Sequence, residues 1–165
     1  MNEKLVIIPR KLSGARKALN TGLFVMACLL LLLATFLSPY LFFVPAILVA
    51  ALWIWLGFYS NVEYEYTYYD GDLHLAKITN KSKRKRIADI NMEDVITIAP
   101  KGDRSVYKYE NDKNCKYRDI TSGDKTAKIY ELIFKDENDI CRYEIEPDEE
   151  MLTAIMVKYP RSVIK

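Results

Sequence analysis

From Ala18 to Val62 the chain carries forty-five residues without one Asp, Glu, Lys, Arg or His. A run of about 20 apolar residues crosses the hydrocarbon core of a bilayer once as a helix. This stretch has room for two crossings, and Ser38-Pro39-Tyr40 falls where a turn between them belongs. The expected spans are 18–37 and 40–59. Each is about 30 Å long at ~1.5 Å per residue. Backbone amides in lipid need internal partners, so both spans must be helical. Pro39 disfavours helix at Ser38, and Pro45 is expected in the first turn or so of the second helix, where its missing N–H costs little. The first run is longer than the apolar part of a secretory signal and no convincing cleavage site follows it, so the reading is an uncleaved anchor.

Charge orients the hairpin. Residues 1–17 hold Lys4, Arg10, Lys11, Arg16 and Lys17 against Glu3, and a second basic group runs from Lys77 to Arg86. The turn between the spans has no charge. The positive-inside bias therefore places both termini in the cytoplasm, at the cell membrane. Trp53, Trp55, Phe58 and Tyr59 form the expected inner aromatic belt, and Tyr40, Phe42 and Phe43 the outer one. The spans contain no ionisable group, which argues against a pump or pore built from one chain. Small residues recur at Ala46, Ala50 and Ala51 and at Ala27 and Ala34. Ala46 and Ala50 are candidate helix-packing positions, within the hairpin or between copies.

Three segments follow: a basic N-terminal segment, 1–17; the hairpin, 18–62; and a domain, 63–165. The apolar cluster Leu5-Val6-Ile7-Ile8, ended by Pro9, is expected as a partly ordered tail on the headgroup layer rather than a strand or short helix docked on the domain. The domain holds 19 basic and 21 acidic residues, so the basic overall balance is no argument for nucleic acid. Cys28, Cys115 and Cys141 share no metal-ligand or redox spacing, and an odd count is no disulfide framework.

After the hairpin the pattern changes to alternation. Tyr64, Tyr66 and Tyr68 share one strand face, Asp70-Gly71 signals a tight turn, and Leu73–Thr79 returns. Asn80–Lys85 reads as a polar basic turn. Strands are expected at 86–90, 95–99, near 116–120, at 127–135 and at 140–146, with Asp136–Asp139 as a turn. The polar stretch 101–126 reads as a long, mobile loop and the best contact surface for a protein partner. Pro147-Asp148-Glu149-Glu150 opens a helix at the end where acidic residues are favoured, and Leu152, Ile155, Met156 and Tyr159 form its apolar stripe. Seven strands in hairpin order plus a plugging helix give the fold class: α+β, a two-helix transmembrane hairpin followed by an antiparallel barrel like a pleckstrin-homology (PH) domain.

Several motifs together carry a resemblance: Val62-Glu63-Tyr64-Glu65-Tyr66, Asp70-Gly71, Asn80-Lys81-Ser82, Ala99-Pro100, Thr121-Ser122-Gly123 and Glu146-Pro147. With them the chain resembles an uncharacterised family of small bacterial, mainly Gram-positive, membrane proteins with two spans and a PH-like domain. The resemblance implies fold and membrane anchoring and assigns no activity.

No catalytic, cofactor or metal motif stands out. His74 is the only histidine and reads as a sheet residue. The strongest functional feature is Lys81, Lys83, Arg84, Lys85 and Arg86. A first strand leaving the membrane and a second returning bring this turn back to the surface, where anionic headgroups are candidate contacts at about 1 kcal/mol per basic residue. The expected role is a non-enzymatic binding module at the inner leaflet engaging a protein or peptide. The alternatives are an assembly subunit that forms a homo-oligomer or joins a larger complex, and an anionic-lipid sensor.

Overall fold

The computed structural model describes residues 3–58, 61–110, 112, 114–137 and 139–164. In chain order the elements are β1 (Lys4–Pro9), α1 (Gly14–Phe36), α2 (Pro39–Phe58), β2 (Val62–Tyr69), β3 (Asp72–Thr79) and β4 (Lys83–Asn91). They continue with β5 (Val95–Pro100), α3 (Tyr107–Glu110), β6 (Lys116–Asp119), β7 (Tyr130–Asp136), β8 (Asp139–Ile145) and α4 (Glu149–Lys158). Tyr59, expected in the second span and its aromatic belt, and Asn138, expected in the turn after β7, lie outside the described residues.

Helices α1 and α2 form the antiparallel hairpin. Ser13 caps α1, its hydroxyl accepting from the Arg16 N–H at 3.3 Å. Helix α2 begins on Pro39, whose missing N–H is harmless at a first helical position. Pro45 is therefore in the second turn, deeper than the sequence suggests, where it cannot donate to the Leu41 carbonyl. Ala27, Ala34 and Ala46 are buried where the helices meet. The rings of Phe24 and Trp53 pack 5.3 Å apart. The outward surface is the reverse of a soluble protein's: Leu29, Leu32, Ile47, Leu48 and Ile54 are all uncovered. Both helices are long and apolar enough to cross a membrane, and a core helix of a soluble domain would be covered.

The N-terminal segment is not a tail. Strand β1 pairs antiparallel with β2 from Lys4↔Tyr68 to Pro9↔Glu63, making a four-stranded sheet in the order β1-β2-β3-β4. Val6 and Ile8 turn inward onto the core, while Leu5 and Ile7 stay outside. Pro9 closes the strand, where the loss of a donor is tolerated. The hairpin is thus an insertion between two paired strands, and the domain begins before it.

The second sheet runs β5-β7-β8-β6. Eight described strands replace the expected seven. Hairpin order fails at β6, which pairs parallel with β8. The two sheets enclose Tyr66, Leu73, Leu75, Met92, Ile98 and Leu132, and α4 closes the end with Met151, Leu152 and Ile155. Asp148 caps α4, accepting from the Met151 N–H at 2.7 Å. Beyond α4 the chain folds back on β5, where Ile98 N–H meets the Ser162 carbonyl and Ile164 N–H meets the Ile98 carbonyl.

Residues 101–126 are not a free loop. Val106 and Tyr109 bury against Ala99 and Ile133 on the outer face of the second sheet, β6 is the edge strand of that sheet, and Ile120 joins the main core. Beneath this cover Arg142 donates two 2.9 Å bonds to the fully buried Glu131. Its guanidinium also lies 5.2 Å from the Tyr117 ring centroid. Burial and the Glu144 carboxylate push the Tyr117 hydroxyl up to about 12.

Three outcomes test this arrangement. Replacing residues 11–61 with a short glycine-serine loop, so that β1 runs directly into β2, yields a soluble domain with one cooperative thermal transition. A fragment starting at Val62 loses the half-covered Val6 and Ile8 and is less stable by about 2–4 kcal/mol in denaturant titration. Arg142→Ala leaves Glu131 charged, buried and unpaired, and costs about 3–5 kcal/mol in the same measurement.

Candidate functional site

The basic run does not behave as one unit. Only Lys81 lies in the turn; Lys83, Arg84, Lys85 and Arg86 belong to strand β4, which is therefore longer than the sequence suggests. Asn80, Lys81 and Ser82 connect the strands, with Asn80 and Lys81 in the left-handed region at φ of 53° and 55° and the Ser82 N–H donating to the Thr79 carbonyl at 3.3 Å. A bulge then sets the fate of the four strand residues. Leu75 pairs with Ala88 but Ala76 pairs with Arg86, leaving Ile87 as the extra residue. Without that residue Arg84 and Arg86 would share a face with Ala88 and Ile90. With it they turn outward, and Lys83 and Lys85 turn inward.

On the outer face both arginines are neutralised. Arg84 meets Glu65, and Arg86 donates to Asp89 at 2.6 Å. Asp89 also faces His74 Nδ1 at 2.8 Å, and that hydrogen bond, more than any other contact, holds its carboxyl below the usual range.

The inner face differs. There the row Tyr68, Tyr66, Tyr64 and Val62 is continued on β3 and β4 by Lys77, Thr79, Lys83 and Lys85. The aromatic residues fill the core and the lysines project beyond it, toward the ends of the hairpin. They line a cavity of about 650 Å³ whose opposite wall is Arg16, Leu19 and Asn20 of α1 and Trp55 and Leu56 of α2. The Oδ1 of Asn20 is buried there without a hydrogen-bond partner. A second cavity of about 820 Å³ adjoins it and shares Arg16, Val62 and Lys77, adding Lys17 and Lys125. Among the described residues none of Arg16, Lys17, Lys77, Lys83, Lys85 or Lys125 is ion-paired.

This architecture agrees with the one comparison that finds a match. A family model described as "Bacterial PH-like domain (DUF6106)" matches residues 2–165. The chain belongs to that family. The match takes in β1, the hairpin and the following strands together, as the pairing of β1 with β2 requires. No curated protein and no solved structure matches significantly.

In this PH-like domain the approach to α1 is clamped rather than loose. Arg10 N–H donates to the Val62 carbonyl at 2.8 Å and Lys11 N–H to the Ser122 carbonyl at 2.7 Å. The Arg10 guanidinium reaches the Tyr64 hydroxyl at 2.5 Å and Asp119 at 3.0 Å, and the Lys11 ammonium meets Asp124. The loop receiving these bonds is itself tied down, since Ser122 donates through its N–H and hydroxyl to Glu146, each at 2.9 Å. The first two cations of the linker are consumed as fasteners, and the next two, Arg16 and Lys17, are left to the cavities.

The other candidates resolve simply. Ala46 is buried within the hairpin, and Ala50 is half-buried. All three cysteines are free. Burial is the main reason the Cys115 and Cys141 thiols are pushed up, away from the thiolate. Sequence reasoning missed Arg16, Asn20, Trp55 and Lys77 as one group. Spacing on α1 was the available signal, since Arg16 and Asn20 are four residues apart on one helix face.

The Lys11–Asp124 fastener has an acid limit. The Lys11 hydrogen bond, then the Thr126 N–H and hydroxyl, hold the Asp124 carboxyl at about 2 against an ordinary 3.8. Its contribution is fully present above the ordinary value and is lost as pH falls through about 2. Cleavage after Leu12 by an acid-active protease, normalised to an unfolded peptide, therefore rises between about pH 4 and pH 2. Asp124→Asn removes that rise.

Proposed function

We propose that the protein is a membrane-anchored binding module whose basal face engages the anionic surface of the inner leaflet, with both termini cytoplasmic. The supporting observation is the set of six cations, Arg16, Lys17, Lys77, Lys83, Lys85 and Lys125, around the hairpin ends. None is ion-paired among the described residues, whereas Arg84 and Arg86 a strand's width away are paired. Each such cation beside anionic lipid gains about 1 kcal/mol, within a Debye length of the surface. The hairpin holds them there at no cost in diffusion, so modest individual energies suffice to fix the domain's tilt. PH-like domains are in general binding modules rather than catalysts.

Two other readings have less support. A protein partner on residues 101–126 would meet a segment whose Val106 and Tyr109 are already committed to the second sheet, with Tyr107 and Tyr117 left exposed. Self-association through Ala46 would use a residue already covered by α1 and α2.

The full chain in nanodiscs tests the proposal. In phosphatidylcholine discs supplemented with an anionic phospholipid, amide exchange along β3 and β4 slows relative to neutral discs at low salt. The difference collapses at high salt and in a Lys77→Gln, Lys83→Gln, Lys85→Gln variant. Equal exchange in neutral and anionic discs at low salt would overturn the reading.

A further inference from the structure

We infer that the cavity between Arg16, Asn20, Trp55 and the Lys77–Lys83–Lys85 row is a site for one phospholipid with an anionic phosphate and a hydroxyl-bearing headgroup, of the phosphatidylglycerol type. The inference rests on the surface-binding reading above and adds a specific ligand to it.

Three features of the cavity carry it. The first is charge: Arg16, Lys77, Lys83 and Lys85 converge on about 650 Å³ with no carboxylate among the lining residues. That calls for an anion, and a phosphate diester supplies one with several acceptor oxygens. The second is the wall. Leu19, Trp55, Leu56 and Val62 make one side of the cavity apolar, and three of the four belong to the hairpin, whose outer surface faces acyl chains. A free inorganic anion has no use for that wall, whereas the glycerol backbone and upper methylenes of a lipid do. Basic cavities beside membrane helices suit phospholipid headgroups on these grounds.

The third feature selects among anionic lipids. Asn20 is four residues after Arg16, so both present to one helix face. Its Oδ1 is buried and lacks a donor, a costly condition beside a bilayer. The ligand must therefore bring a donor as well as a charge. An ammonium headgroup is a poor donor here, because four cations already surround the site. A neutral hydroxyl is free of that repulsion. A phosphate carrying a polyol satisfies all three features, and the cavity is within the usual volume range for a ligand of that size.

The experiment compares two lipids of equal charge. Full-length protein is exchanged into nanodiscs containing phosphatidylglycerol and phosphatidylmethanol in equal amounts, and retained lipid is counted by native mass spectrometry. Phosphatidylmethanol keeps the phosphate and lacks the hydroxyls. The expected result is one tightly held phosphatidylglycerol, preferred by about five- to tenfold, the worth of one hydrogen bond to an otherwise unsatisfied group. Asn20→Leu abolishes the preference between the two but keeps both above phosphatidylcholine. Lys83→Gln with Lys85→Gln lowers retention of both. Equal retention of the two anionic lipids by the natural chain overturns the headgroup selection and leaves the surface reading intact. Equal retention of anionic and neutral lipids overturns both. Displacement of the bound lipid by soluble glycerol phosphate would assign the cavity to a soluble ligand and overturn the lipid.

Discussion

The ladder between β1 and β2 is the constraint on which the rest of this molecule depends. It joins Lys4 to Tyr68 and Pro9 to Glu63, so the two chain ends of the membrane hairpin leave the sheet side by side. Both ends are then held again, by Arg10 on Val62 and by Asn80 on Asn61. A domain hung from one helix by one linker would swivel. Held by two adjacent strands, it keeps one end fixed against the ends of the hairpin.

The composition of that end follows from how the sheet is used along its length. On the inner face, Tyr66 and Leu75 face each other and bury fully, while Tyr64 faces Lys77. The same row changes from core to solvent within one residue pair. The bulge at Ile87 brings Lys83 and Lys85 into register with this row. Had β4 run straight, two arginines would have pointed at the membrane and two lysines at Glu65 and Asp89. Guanidinium forks suit paired carboxylates, and flexible ammonium groups suit a fluid headgroup layer.

Much of this was legible in residue order, and the reasons for the exceptions are physical. The hairpin, the Asp70-Gly71 turn, the β7–β8 pair and α4 rest on local signals: apolar length, turn chemistry and periodicity. Strand β1 has four apolar residues in a row, so its alternation is hidden, and its partner lies beyond the whole hairpin. Residues 101–126 look polar because their buried apolar side chains, Val106, Tyr109 and Ile120, are few and widely spaced, and the charge beneath them, Arg142 with Glu131, lies elsewhere in the chain. The stretch Asn80–Lys85 reads as a turn, with the strand starting only at Arg86, because alternating lysine and arginine show no polarity contrast between faces. Only the partners, Glu65 and Asp89 on one side and helix ends on the other, separate them.

The inserted hairpin also bears on how the protein is made. Strand β1 leaves the ribosome first, and its partner appears only after both spans have been synthesised. The ladder can then close only if the second helix has returned to the side on which β1 waits. A hairpin that crosses once, or stops with its ends on opposite faces, leaves Val6, Ile8 and the inner edge of β2 uncovered and the main-chain groups of both strands unpaired. Correct insertion is thereby written into the stability of the domain, and a chain threaded wrongly displays an unfinished sheet for quality control to find.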